Sequence, residues 1–131
     1  MIIDTSAIVA ILCGEREAEA LLTVISAATA KFISVASELE ASIVIEHRFG
    51  EVGGRELELF LHRAAIESIS VTAEHTEIAK KAFRRFGKGK GHPAQLNFGD
   101  CFPYALAKQM QEPLLFKGSD FSKTDILAVN Y

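Results

Sequence analysis

The sequence predicts a three-layer α/β/α domain built on a mostly parallel central sheet, and three observations carry that expectation. Short apolar runs alternate with longer stretches of helical periodicity along the whole chain, the order that strand–helix units produce. The run "PLLF", bounded by Pro113 and Gly118, is continuously apolar, as a strand covered on both faces should be. With 131 residues, no linker and no internal repeat, the chain fits one domain over 1–131, long enough for one sizeable core and short for two.

Taken in order, "MIID" is a short apolar strand that ends on Asp4. "TSAIVAILCG" reads as a helix starting at Thr5 or Ser6 and stopping at Gly14, and "EREAEALLTVISAATA" as a second helical run leading into a strand near "KFIS". "VASELEASIVIEHRF" follows as a helix ended by Gly50, and "GRELELFLHRAA" as another. "IESISV" alternates like a strand. In "AEHTEIAKKAFRRF", Ala79, Ala82, Phe83 and Phe86 recur at helical spacing. The glycine-rich loop "GKGKGHPAQLNFG" leads to a helix that opens at Asp100 and tolerates Pro103 in its first turn, where N–H groups lack intrahelical partners. After "PLLF", the segment "DILAVNY" reads as a last short strand.

Composition narrows the function classes. At 49% hydrophobic and 24% charged residues, without low-complexity tracts, the chain is expected to be globular and not disordered. It has no apolar run of membrane-spanning length, and it reaches an acid at position 4 without a basic leader. Neither a membrane span nor a secretory signal is expected, and the location implied is the cytoplasm. Cys13 and Cys101 lack metal-site spacing and read as packing residues in a reducing compartment. The net charge of −3 argues weakly against nucleic acid, but the charge is unevenly spread. Lys80, Lys81, Arg84, Arg85, Lys88 and Lys90 crowd together with no acid between Glu77 and Asp100, so an acidic chain carries a locally basic surface.

Parallel sheets of this kind bind ligands beyond the carboxyl ends of their strands. Asp4 ends the first strand, Asp120 lies just past "PLLFKGS", and Asp100 opens a helix that should begin on that same edge. A fourth acid emerges from a broken pattern: Glu40 falls inside a helical stripe of Ala36, Leu39, Ile43 and Val44, where an ionised carboxylate is costly without a cation or hydrogen-bond donors. His47 shares that stripe, whereas Glu38 projects from the other side. Taken singly, Asp4 and Asp100 also fit helix-capping roles and Asp120 an ordinary turn. Independent caps, however, have no reason to gather on one edge. Carboxylates about 5 Å apart at an effective dielectric near 20 repel by roughly 3 kcal/mol per pair, so such a cluster must hold protons or cations. Oxygen ligands without His or Cys suit Mg²⁺ or Mn²⁺. Such a site can activate a water and neutralise phosphoryl oxygens. An acid pocket beside a basic strip therefore points to phosphodiester hydrolysis. Arg84, Arg85, Lys88 and Lys90 are the RNA-contact candidates, with a solvated helix face as the plainer explanation for the two arginines.

"MIIDTSAIVAIL", "ELEASIVIEHR", "LNFGDCFPYALAK" and "PLLFKGSDFSKTDI" together resemble, in order and over essentially the whole chain, the PIN-domain ribonucleases, specifically the VapC toxins of bacterial VapBC toxin–antitoxin pairs. The resemblance implies a PIN fold, Mg²⁺- or Mn²⁺-dependent RNA cleavage in a bacterial cytoplasm, inhibition by a VapB-type antitoxin, and pairing as a homodimer. The family's four acids match Asp4, Glu40, Asp100 and Asp120. Members are often acidic just before the last of these, where this chain has Ser119, so a further ligand oxygen would be neutral here. Asp125 is expected to support the ligands from behind or to serve a turn, and Ser6 to orient Asp4 through its hydroxyl. A receiver-like phosphoacceptor domain and a catalytically inert PIN binding module are the alternatives. The loop "GKGKGH" does not meet the spacing of a phosphate-binding P-loop.

Overall fold

A computed structural model describes residues 1–131. Strands β1 (Ile2–Ile3), β2 (Phe32–Ser34), β3 (Glu67–Ile69) and β4 (Leu114–Leu115) form one sheet in the order β3-β2-β1-β4. Every neighbouring pair is parallel, and Ile2 stands opposite Phe32 on one side and Leu114 on the other.

The strands β1 and β4 are short and wholly apolar because they are buried from both sides. Consecutive side chains point to opposite faces of a sheet, so Ile3, Ile33 and Leu115 enter one core and Ile2 and Leu114 the other. The first core is roofed by α1 (Thr5–Leu12), α2 (Ala18–Ala27) and α3 (Val35–Arg63), through Ala7, Ile8, Leu21, Ile25, Ala41, Leu57 and Leu61. The second is roofed by α4 (Ala73–Phe86) and α5 (Cys101–Met110), through Ala82, Phe86, Tyr104 and Leu106. Each Ile or Leu fully buried in this way contributes roughly 1.5–3 kcal/mol. No helix is long and apolar enough to cross a membrane.

Strand order fixes where a ligand can enter. The chain passes from β1 to β2 to β3 in one direction, then returns through α4 and α5 to β4 on the far side of β1. The direction of winding reverses between β1 and β4, and in parallel sheets ligands bind at such a point, beyond the carboxyl ends of the strands.

Two expectations need correction. "DILAVNY" is no strand: it meets the sheet in a single parallel bridge, Leu114 to Ala128, and its Leu127 stays exposed. The residues "EVG" after Gly50 are helical, so α3 resumes at once on the far side of a break at Gly50, which has φ 65° and ψ −163°. Gly53 lies inside that resumed helix because a Cβ there would sit 2.7 Å from the Cβ of Phe49.

The break at Gly50 needs a backbone conformation that side chains other than glycine rarely adopt, although space for a Cβ is open. Gly50→Ala is therefore expected to cost about 1–3 kcal/mol through backbone strain alone. Urea unfolding at unchanged slope checks this, and an unshifted midpoint would show that the break tolerates a side chain.

Candidate active site

The site is built from four segments that the fold brings within electrostatic reach of one another. Asp4 leaves β1 in extended conformation and caps α1, its Oδ2 accepting the Ser6 N–H at 2.9 Å and the Ser6 hydroxyl at 2.5 Å. The Ser6 oxygen also accepts the backbone N–H of Lys117 at 2.9 Å. An N–H can only donate, so the single Ser6 hydroxyl proton is committed to Asp4. One serine thereby ties the exit of β4 to the carboxylate at the end of β1.

Glu40 comes from α3. The Thr5 hydroxyl lies 2.7 Å from its Oε2 and 3.0 Å from the carbonyl of Ser37. On its other side a Cβ built on Gly99 would fall 2.7 Å from Oε1, so a side chain there would push the Glu40 carboxylate out of its present position. Asp100 follows immediately. Its Oδ2 accepts the Asn97 N–H at 2.7 Å while its own N–H donates to Asn97 Oδ1 at 2.9 Å, a reciprocal pair that closes the turn 97–100. The Asp100 side chain makes no capping bond to α5. Asp4 does cap its helix, so the two acids differ in the duty that the sequence left open. Asp120 is exposed on the loop after β4, next to Phe121, which is buried against Phe116 at 5.1 Å between ring centres.

These carboxylates share one electrostatic environment. Burial pushes the Asp100 carboxyl from its ordinary 3.8 up to about 6, opposed by the Asn97 N–H and reinforced by the charges of Asp4, Asp120 and Glu40. Asp4, only 6% exposed, is also raised, chiefly by burial; the two Ser6 bonds counter this and the Glu40 charge adds to it. None of the ion pairs in the chain reaches any of the four. Lys117, three residues before Asp120, is turned to Glu15 and Glu17, and Lys123, three residues after it, forms no ion pair. No three acidic, His or Cys side chains converge closely enough to enclose an ion. The donor set fits a hard divalent cation all the same: it offers carboxylate oxygens only, and their mutual repulsion is uncompensated by any cation of the protein.

The pattern that singled out Glu40 is not the one α3 obeys. The helix buries Ser37, Ala41 and Ile45, while Leu39 and Ile43 are 62% and 61% exposed and His47 lies in solvent. Glu40 borders the buried face one turn after Ser37, which is why it meets Thr5. Asp125 stands away from the four acids: it accepts the Tyr104 hydroxyl at 2.6 Å and pairs with Lys108 and Arg85, anchoring the C-terminal segment to α5 and α4. Ser119 is exposed, and its carbonyl accepts from Ser122. Of the basic candidates, Arg85 is engaged with Asp125 and lies over the Phe86 ring at 4.6 Å. Arg84, Lys88 and Lys90 are exposed and pair with no carboxylate. Thr5, Asn97 and Gly99 went unnoticed in the sequence, although each stands within three residues of a site acid.

A family model of the PIN domain matches residues 1–127. The all-parallel sheet and the acid-lined crevice at its switch point define a protein of this class, and the chain belongs to the PIN-domain family. Its full-length relatives place it among the VapC ribonucleases. It is 54% identical over 130 residues to Ribonuclease VapC of Mycolicibacterium smegmatis, with 99% of this chain and 100% of that protein covered. It is 53% identical over 129 residues to Ribonuclease VapC30 of Mycobacterium tuberculosis, covering 98% of each. Among solved structures, VapC20 of Mycobacterium tuberculosis, described as a Sarcin-Ricin loop cleaving toxin, superposes with a TM-score of 0.80 over 98% of this chain and 97% of its own, at 16% identity. A toxin–antitoxin complex from Klebsiella pneumoniae gives 0.75 over 99% and 97%, also at 16%. Likeness at that identity is one of fold. Membership of this family excludes the receiver-like alternative.

A raised carboxyl pKa means that the folded chain binds a proton the unfolded chain has already released, so stability falls as pH rises from about 4 to about 6 and stays lower above. Asp100→Asn is therefore expected to stabilise the metal-free protein at pH 7.5, by on the order of 1–2 kcal/mol after allowance for solvent screening. The gain should vanish below about pH 4, where Asp100 is protonated in both states. Thermal melts in chelator across that range check it; equal melting of both proteins at pH 7.5 would show that burial and the neighbouring charges do not disfavour the ionised Asp100 as described.

Proposed function

We propose that this chain is a Mg²⁺- or Mn²⁺-dependent endoribonuclease acting as the toxin of a VapBC pair, and that Asp4, Glu40, Asp100 and Asp120 are its catalytic residues. The observation that carries the reading is a group of mutually repelling carboxylates, left without any protein cation, at the switch point of a parallel sheet. In the proposed site Asp4, Asp100 and Asp120 hold the ion, with Glu40 as a further ligand or as the base that positions water. When bound, the cation supplies charge neutralisation of the phosphoryl oxygens and acidifies a water.

The residues of the chain then have distinct tasks. Ser6 holds Asp4 in one orientation, and Thr5 engages one oxygen of Glu40, leaving Oε1 on the Gly99 side to receive a proton from water. The water oxygen bonds to phosphorus, the bond to the 3′ oxygen breaks in line, and that oxygen leaves as a hydroxyl after protonation. The products carry a 5′ phosphate and a 3′ hydroxyl. Arg84, Lys88 and Lys90, exposed and free of carboxylate partners, hold flanking phosphates in this reading.

A VapB-type antitoxin and a second copy of the chain are the proposed protein partners. A solved neighbour in the fold comparison is a toxin–antitoxin complex, and α3 exposes Leu39, Ile43, Phe49 and Val52, apolar side chains suited to being covered.

Purified protein should cleave single-stranded RNA only with Mg²⁺ or Mn²⁺ present, and Asp4→Asn or Asp100→Asn should each lower the rate on the order of a hundredfold or more. End-group analysis checks the chemistry. A 2′,3′-cyclic phosphate would reject the water route, and metal-dependent binding without cleavage would make the chain an inert PIN module.

A further inference from the structure

A sizeable groove lies beside the site acids, and its apolar walls have no role in the mechanism above. It is a groove of about 900 Å³ between α4 and α5, within the range of about 300–1,000 Å³ typical of ligand sites. Its walls are predominantly apolar. Phe83 comes from the α4 side, and Phe98 and Phe102 from the α5 side. Phe98 is 78% exposed, and its ring meets the Phe102 ring edge to face at 5.0 Å. An aromatic side chain left so exposed on a turn that is otherwise fixed by the Asn97–Asp100 pair is a surface waiting for a partner.

The rim of this groove is cationic. Lys80, Arg84 and Lys88 border it, and no Asp or Glu does. Lys80 is paired with Glu77 at 2.6 Å, whereas Arg84 and Lys88 have no carboxylate partner. Lys88 is held in place despite its glycine-rich surroundings. Its N–H donates to the Leu96 carbonyl at 2.8 Å and Leu96 N–H donates to the Phe86 carbonyl at 2.9 Å, so the loop is clasped at its base opposite Asn97. The groove therefore runs into the turn that carries Asp100, and its far wall is the helix that carries the unpaired Arg84.

Aromatic rings on the floor with cations along the rim match a single nucleic-acid strand, whose bases stack while its phosphates are neutralised. An apolar peptide would find the same floor but no use for an acid-free cationic rim, and a second copy meeting this face about a two-fold axis would set Arg84 and Lys88 against their own counterparts. We propose that the α4–α5 groove is the substrate-strand subsite, in which Phe98 stacks an unpaired base next to the scissile phosphate while Arg84 and Lys88 hold the adjoining phosphates. This rests on the nuclease reading and adds a preference for unpaired, base-bearing strands.

The test measures binding apart from cleavage. Fluorescence anisotropy in chelator compares a labelled single-stranded RNA with an abasic ribose-phosphate strand of the same length. Phe98→Ala, which removes an exposed ring and should leave the melting temperature unchanged, is expected to weaken RNA binding about tenfold and to leave the abasic strand unaffected. Phe98→Tyr should restore binding. Arg84→Ala and Lys88→Ala should weaken both strands and flatten the salt dependence by about 0.7 for each phosphate no longer neutralised. Unchanged RNA affinity in Phe98→Ala, an equal loss on both strands, or no RNA binding by the wild type overturns the proposal. So does a shift from dimer to monomer in sedimentation of Phe98→Ala, which would make the groove an interface between copies. Wild type that binds in this pattern yet fails to cleave with Mg²⁺ rejects the nuclease reading and keeps the groove, whereas cleavage with unaltered binding by Phe98→Ala rejects the groove alone.

Discussion

Like charges held together without a counter-charge are the constraint around which this chain is organised. Asp4 and Glu40 are fixed by hydroxyl donors, Asp100 by a backbone N–H, and none by a lysine or arginine. Hydrogen-bond donors lower the cost of a buried carboxylate but leave its charge in place. A protein cation would have removed the repulsion. The chain is not short of cations near the site: Lys117 is next to the loop of Asp120 but is spent on Glu15 and Glu17.

The fold delivers that arrangement by connectivity. Residues 4 and 100 are far apart in the chain, yet parallel pairing of β1 with β4 and the reversal of winding between them bring both to one edge. Two local devices then set the fine positions. Ser6 joins the strand ends, accepting from Lys117 and donating to Asp4, so any shift of β4 against β1 is felt at a carboxylate. Gly99 has no side chain, so the loop of Asp100 closes against Glu40. Stability and site geometry here share the same atoms.

Most of the sheet and the helices were legible because each depends on patterns of a few residues. "AEHTEIAKKAFRRF" forms a helix over its full length, and its start is secured by Thr72 and His75 bonding each other's backbone N–H groups. Glu40 was reached through a stripe that the structure turns outward. Hydrophobicity alone cannot tell a buried apolar face from an exposed one, and in α3 the small residues Ser37 and Ala41, which permit close packing on α1, mark the true inner face. The ion pairs of Asp125 were hidden for a related reason. Its partners Tyr104, Lys108 and Arg85 lie up to 40 positions away, and no local pattern announces a contact of that span. The failure at "DILAVNY" shows the same limit, since one bridge to Leu114 satisfies an apolar segment without making it a strand.

The turn 97–100 joins the two halves of the surface. Its reciprocal Asn97–Asp100 bonds fix four residues at once, so the directions of their side chains are not independent. Gly99 faces Glu40 on the acid side, while Phe98 faces the groove bordered by Arg84 and Lys88. A negative crevice and a positive groove thus meet across a single residue step. Opposite potentials set side by side orient a polyanion, because the cationic groove attracts the strand while the acid crevice repels it until a divalent ion intervenes. A sequence with net charge −3 can in this way present a cationic surface to a polyanion.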